Sequence, residues 1–122
     1  MKVNFNEISE NQFLEYCNAR MEKGYNNGTL YPYINTSRLK LIYKHMKKKN
    51  IICSGSNYKV TVNGKEFSRY SQPDTEEKER MTENILHFVW CEAERICYSL
   101  NNRTGSIEAE YTKAFIKQLA SA

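Results

Sequence analysis

Residues 58–70 read YKVTVNGKEFSRY, the clearest local pattern in the chain. Apolar and polar residues alternate from Tyr58 to Val62, which is the period of a strand with one buried face. Asn63 and Gly64 favour a two-residue turn, because both positions need a positive φ. The stretch therefore predicts a β-hairpin over 57–70. A two-residue loop sets the pairs Val62–Lys65, Val60–Phe67 and Tyr58–Arg69.

Helical periodicity flanks this hairpin on both sides. Ser9 and Gln12 fit a capping box, and Asp74 with Glu77 resembles another at the start of the longest helix. Apolar residues at helical spacing predict four helices, over 9–23, 36–49, 75–100 and 106–120. Two weaker patterns indicate a short extended arm near Val3 and a short strand at Ile51 and Ile52.

The predicted fold class is α+β, with about four helices and one β-hairpin (57–70) between helices 2 and 3. The chain has 122 residues, of which 40% are hydrophobic. A chain of this length buries enough surface for one core, so a single compact domain over 1–122 is expected.

The four cysteines do not form a C-x-x-C pair, and they are predicted to be free thiols packed as small apolar groups. No metal site and no cofactor are predicted. The first residues lack the apolar stretch of a signal peptide, and no run approaches the roughly 18 apolar residues of a membrane span. These features predict a cytoplasmic protein.

Charge is distributed unevenly along the chain. Residues 35–70 hold nine basic side chains and one acidic, whereas residues 1–34 have a net charge of −1 and residues 71–122 of −3. Such a cluster repels itself unless an anion approaches, and a polyphosphate is a common partner. The residues predicted to contact nucleic acid are Arg38, Lys40, Lys44, His45, Lys47, Lys48, Lys49, Lys59, Lys65 and Arg69. Further candidates for base or sugar contacts are Asn35, Ser37 and Tyr43.

The order of helix, basic helix and hairpin over 9–70 resembles the end of a winged helix-turn-helix module. In that family a helix enters the major groove and the hairpin touches the backbone or the minor groove. The resemblance therefore implies DNA binding by helix 36–49. A winged helix has three helices before its wing, whereas two are predicted here.

The function that these patterns favour is a small nucleic-acid-binding regulatory protein. The chain contains 13 Asn and 12 Lys, a bias typical of AT-rich genomes, which indicates a phage, a mobile element or a low-GC bacterium. The alternative is an inhibitor or adaptor that docks on an acidic host protein. A merely solvated lysine face remains open as well.

Two further interactions concern a membrane surface and a second copy of the chain. Membrane-surface binding is not favoured, because the apolar face of helix 36–49 has Leu39, Ile42 and Met46 but no Trp or Phe for insertion. A homodimer through the 75–100 helix is expected if the wide apolar face of that helix exceeds what one neighbour covers.

Catalytic motifs are absent from the sequence. It contains no glycine-rich phosphate loop, no G-x-S-x-G and no H-E-x-x-H. His87 lies in the apolar middle of the long helix, which is typical of a core histidine with one satisfied hydrogen bond. The chain is therefore predicted not to be an enzyme.

Overall fold

The computed structural model describes residues 2–24, 34–54, 59–69, 76–101 and 117. The mixed α+β class is confirmed. The elements in chain order are β1 (Lys2–Asn4), a 3-10 turn (Phe5–Glu7), α1 (Glu10–Gly24), α2 (Thr36–Lys47), β2 (Ile51–Ser54), β3 (Lys59–Val62), β4 (Lys65–Arg69) and α3 (Glu77–Asn101). The predicted helix 106–120 lies outside the described residues, except for Lys117, whose backbone is helical.

The predicted hairpin is one half of a larger sheet, which corrects the expectation of a single hairpin. The sheet is antiparallel in the order β1-β2-β3-β4. Val3 pairs with Cys53, and Cys53 pairs with Val60. An isolated hairpin is marginally stable, and two further strands cover the edge of β3. The resemblance to a winged helix therefore holds for element order only, because β3 is an inner strand of this sheet.

The hairpin turn is confirmed, whereas its register is only partly as predicted. Asn63 and Gly64 have φ angles of 52° and 86°. Val62 pairs with Lys65 as expected, but an irregularity follows, and Lys59 instead of Tyr58 pairs with Arg69. The predicted Tyr58–Arg69 pair is therefore wrong. The extra residue in β4 places Arg69 at the register position of Lys59.

Helix α3 packs against β1, β2 and β3. Val3, Cys53 and Val60 are buried on the face of the sheet that meets α3. A cluster of aromatic rings joins the 3-10 turn to α1 and α2, with Phe5 and Tyr43 centroids 5.3 Å apart. The buried residues form one continuous core.

The start of α1 follows its predicted cap, whereas the cap predicted at Asp74 lies outside the described residues. Ser9 N–H donates to Gln12 Oε1 at 2.9 Å, and Gln12 N–H donates to Ser9 Oγ at 3.2 Å, which confirms the capping box. Helix α2 ends at Lys47, two residues before the predicted end. Lys48 N–H donates to the His45 carbonyl at 3.1 Å. This bond joins residues three apart, as in a 3-10 turn, instead of four apart as in an α-helix.

Apart from Cys91, the apolar side chains of α3 up to Cys97 are buried within the chain. Met81, Ile85, Val89 and Ile96 are all buried. The exposed positions of α3 between residues 77 and 97 are Lys78, Glu79, Glu83, Cys91 and Arg95. The uncovered apolar face that suggested a homodimer is therefore not found in this part of α3. Within the described residues, no helix combines the length and apolarity needed to cross a membrane.

Candidate nucleic-acid interface

Two turns that are distant in sequence are joined by reciprocal hydrogen bonds. Asn50 N–H donates to Asn63 Oδ1 at 2.9 Å, and Asn63 N–H donates to the Asn50 carbonyl at 3.0 Å. Asn4 Nδ2 donates to Asn50 Oδ1 at 3.2 Å. The turn between α2 and β2 therefore lies beside the turn between β3 and β4. The Asn63 backbone is in the left-handed region, which Asn tolerates better than most residues.

This junction collects five lysines at one end of the sheet. Lys65 directly follows the hairpin turn, and Lys48 and Lys49 directly precede Asn50. Lys44 and Lys47 occupy the last turn of α2. We call Lys44, Lys47, Lys48, Lys49 and Lys65 the basic corner. Lys40 is exposed one helical turn before Lys44, about 6 Å along the helix axis.

Much of the positive charge of the basic corner faces solvent. Lys44, Lys48 and Lys65 are exposed, and none forms an ion pair with another described residue. Lys47 is half-buried, with Nζ 5.1 Å from the centre of the Tyr43 ring, and Lys65 Nζ lies 5.6 Å from the Phe67 ring. Contact with a ring holds an ammonium group without neutralising its charge.

Local electrostatics help α2 to accommodate these lysines. The C-terminal end of a helix carries a partial negative charge, which favours nearby cations. Glu7 Oε2 accepts the Asn4 N–H at 3.4 Å, so this carboxylate lies at the same end of the sheet. The charge of the five lysines still outweighs that of one carboxylate and a helix end, so the corner remains positive.

The other hairpin cations lie at the opposite end of β3 and β4. Lys2 pairs with Ser54, Ser54 with Lys59, and Lys59 with Arg69. We call Lys2, Lys59 and Arg69 the open end. Lys59 lies three residue steps along β3 from Val62 at the turn, a distance of about 10 Å. Lys59 Nζ also lies 2.8 Å from Glu66 Oε1, which offsets its charge.

Lys2 was missed by sequence reasoning. It shares a row of the sheet with Lys59 because β1 pairs with β2, and this pairing joins residues about fifty positions apart. No local pattern around Lys2 indicates that neighbour. The Asn4–Asn50–Asn63 contacts were missed for the same reason.

Arg38 and Tyr43 lie in the interior, which corrects the prediction that they contact nucleic acid. Arg38 is 9% exposed. Burial raises the pKa of the Cys97 thiol to about 12, and the charge of Arg38 acts on that pKa in the opposite direction. Tyr43 is buried, and its hydroxyl donates to the Ile8 carbonyl. Neither side chain is free to meet a nucleic acid.

The polar candidates at the start of α2 have different surroundings. Asn35 Oδ1 accepts the Arg38 N–H at 3.0 Å and caps the helix. That oxygen is therefore already used, whereas Ser37 is exposed. Both residues lie at the opposite end of α2 from the basic corner.

His45 lies within the basic corner as a neutral group. It is half-buried, and its Nε2 is a buried atom without a hydrogen-bond partner among the described residues. Burial lowers the pKa of His45, and the charges of Lys49 and Lys48 lower it further. The imidazole therefore stays uncharged at pH 7 and adds no positive charge to the corner.

The side of the molecule formed by α1 and the start of α3 has the opposite charge. An open groove of about 620 Å³ is lined by Gln12, Glu76, Lys78, Glu79, Thr82 and Glu83. Among the residues that the structure describes, no group of three or more His, Cys, Asp or Glu side chains is arranged to hold a metal ion. The groove therefore offers no metal centre in this part of the chain.

Comparison with protein-family models, with curated proteins and with solved structures finds no match for this chain.

Proposed function

We propose that this chain is a small, non-enzymatic, nucleic-acid-binding regulatory protein that contacts phosphates through its basic corner. The observation that carries the proposal is the reciprocal Asn50–Asn63 hydrogen bonding. It places the turn that precedes the exposed Lys65 beside the turn that follows the lysine-rich end of α2. We further propose a cytoplasmic protein of a phage or a mobile element.

Phosphate recognition is the chemistry that such a corner favours. Lysine ammonium groups neutralise phosphates, and the counterions released from the nucleic acid drive binding. Such contacts position a protein without reading base sequence. The structure supports Lys40, Lys44, Lys47, Lys48, Lys49 and Lys65 as one contact set. Lys59 and Arg69 belong to the separate open end.

A duplex is a better partner than a single strand. Proteins that hold single strands combine cations with exposed aromatic rings on which bases stack. In the corner, Tyr43 is buried and Phe67 is half-buried with the Lys65 ammonium over its ring. The described part of the corner therefore presents ammonium groups without an open stacking surface.

The test measures binding of the purified full chain to random double-stranded DNA and single-stranded RNA across a salt series. The variant Lys44→Glu/Lys48→Glu/Lys65→Glu changes three exposed corner lysines. We expect at least a tenfold loss of DNA affinity at low salt and a less steep salt dependence, because about three phosphate contacts are removed.

The matched control is Lys2→Glu/Lys23→Glu/Lys78→Glu, which changes net charge equally at exposed positions outside the corner. It should lose much less affinity than the corner variant. Equal losses would mean that only net charge matters, and no binding at low salt would remove the proposal.

The alternative function is docking on an acidic surface of a host protein as an inhibitor or adaptor. An exposed lysine cluster without an open stacking surface suits carboxylates as well as phosphates. Affinity capture from a host lysate with and without nuclease separates the two functions. A partner that survives nuclease and is lost with the corner variant would favour protein docking.

A further inference from the structure

The four cysteines differ sharply in accessibility. Cys17, Cys53 and Cys97 are buried, whereas Cys91 is exposed on α3. Burial raises the pKa of both Cys17 and Cys97 to about 12. A reagent in solution can therefore reach Cys91 in the folded chain, while the other three thiols are shielded and protonated.

Cys91 has a histidine within hydrogen-bonding reach. His87 lies one helical turn earlier on α3, and Cys91 Sγ is 3.6 Å from His87 Nε2. Residues four apart share one face of a helix, which accounts for the contact. The thiol and the imidazole thus form a nucleophile and base pair.

A third side chain, from another helix, orients this imidazole. Tyr16 Oη on α1 lies 3.2 Å from His87 Nδ1. Both neutral tautomers satisfy these two contacts. In the tautomer with its proton on Nδ1, Nδ1–H donates to Tyr16 Oη and Nε2 accepts from the thiol, and in this form His87 can act as a base toward Cys91. Burial raises the pKa of Tyr16 to about 12, so its hydroxyl stays protonated near neutral pH.

Burial is the main cause that keeps both partners of this pair neutral. Burial lowers the pKa of His87, Arg20 on α1 lowers it further, and Glu94 acts in the opposite direction. Burial, Glu94 and Glu92 raise the pKa of Cys91, against Arg20. At pH 7 the pair therefore consists of a thiol beside a neutral imidazole that is able to accept its proton.

We propose that Cys91 is a site of thiol–disulfide exchange with small-molecule disulfides, with His87 as the general base and Tyr16 as its positioning residue. Cys91 Sγ attacks one sulfur of the disulfide while its proton moves to His87 Nε2. The new sulfur–sulfur bond forms as the old one breaks, and the departing thiolate takes the proton from His87. Cys91 is oxidised to a mixed disulfide, and the leaving half of the reagent is reduced to a thiol.

The shielding of the other cysteines determines the product. Cys17, Cys53 and Cys97 are each 0% exposed. They are not accessible to resolve a mixed disulfide on the surface of α3. The expected product is therefore one stable adduct per folded chain.

The experiment treats the native full chain with dipyridyl disulfide and with oxidised glutathione, and follows the rate together with the mass of the modified peptide. One fast-reacting thiol per chain is expected, located at Cys91 and lost in Cys91→Ser. In His87→Gln the fast rate should fall about tenfold or more. In Tyr16→Phe it should fall less, with a shifted pH profile. Glu79→Gln, at an exposed position of the same helix, should leave the rate unchanged.

The wild-type pH profile gives a test that does not depend on how variants fold. With His87 as base, the rate rises through the lowered His87 pKa and is then level between about pH 6.5 and 8. A simple thiol with a raised pKa instead gains about tenfold in rate per pH unit over this range. That steep rise, or an unchanged rate in a folded His87→Gln protein, would overturn the proposal.

Discussion

The two ends of the β3–β4 hairpin carry similar side chains in different surroundings. At the turn, Lys65 is exposed at the same end of the sheet as the turn that follows α2. At the open end, Lys59 forms an ion pair with Glu66 and shares a row of the sheet with Lys2 and Arg69. Lys65 is thus a candidate contact for a ligand, whereas Lys59 is part of an ion pair.

This difference shows how a fold divides a run of charge. Residues 35–70 carry nine basic side chains, but the structure buries Arg38 and sends Lys59 and Arg69 away from the corner. Exposed charges separated by more than about 8–10 Å are largely screened at physiological salt. The basic corner and the open end should therefore act as separate surfaces.

The largest expected effect comes from breaking the link between the two turns with Asn63→Ala. Ala disfavours the left-handed backbone by about 1–2 kcal/mol, and the hydrogen bond from Asn50 N–H is lost as well. We expect a loss of roughly 2 kcal/mol in the free energy of unfolding. Urea unfolding measures this value. Asn63→Gly keeps the conformation and should lose less, and a Gly variant as unstable as the Ala variant would contradict the role of the backbone.

The second prediction compares Lys65→Gln with Lys59→Gln, which change net charge equally at the two ends of the hairpin. Lys65→Gln should weaken binding to double-stranded DNA at low salt about fivefold, since one phosphate contact is lost. Lys59→Gln should have little effect, because Glu66 already offsets that charge. Fluorescence anisotropy measures both affinities. An equal loss at both positions would mean that the two ends do not act separately.

The third prediction uses His45 as a reporter for the corner. Lys49 and Lys48 help to lower its pKa. Bound phosphates offset these two charges, so the pKa of His45 should rise when double-stranded DNA is added at constant ionic strength. An NMR titration of the imidazole signals measures the shift. His87 is the internal reference, because its charged neighbours are Arg20 and Glu94. Equal shifts of both histidines would point to binding elsewhere.

The smallest effect is expected for Glu66→Gln, which releases Lys59 and makes the open end more like the corner. Exposed ion pairs are weak, so the free energy of unfolding should change by less than about 0.5 kcal/mol. DNA affinity should rise about twofold at low salt. The control is Glu83→Gln, an exposed carboxylate beside the acidic groove. A similar gain in that control would indicate a general effect of net charge.

Local sequence patterns predicted the individual elements well. Ser9 and Gln12 form the capping box, and Asn63–Gly64 forms the turn. These features depend on residues within a few positions of one another. The bulge in β4 was missed, since an inserted residue alters the register without a local signal in the strand. The role of Lys2 was missed because strand partners can lie far apart in sequence.

The composition of the candidate site was predicted more reliably than its geometry. Lys44, Lys48 and Lys65 are exposed cations, in agreement with a basic surface. Arg38 and His45 were included because they belong to the same charged segment. Arg38 was predicted to contact nucleic acid, yet its side chain is buried with Cys97 nearby. The state of His45 depends on burial, which no residue count reveals.

The sequence by itself determined the positive charge of residues 35–70, the helical periods and the hairpin turn, because each depends on residue type and short-range spacing. Only the tertiary structure decided which charges meet. The hydrogen bonds between Asn50 and Asn63 place the turn that precedes Lys65 beside the turn that follows α2, and the β1–β2 pairing brings Lys2 toward Lys59. The packing of α1 on α3 likewise places Tyr16 against His87. These contacts join distant parts of the chain, so they arise from the packing of one core.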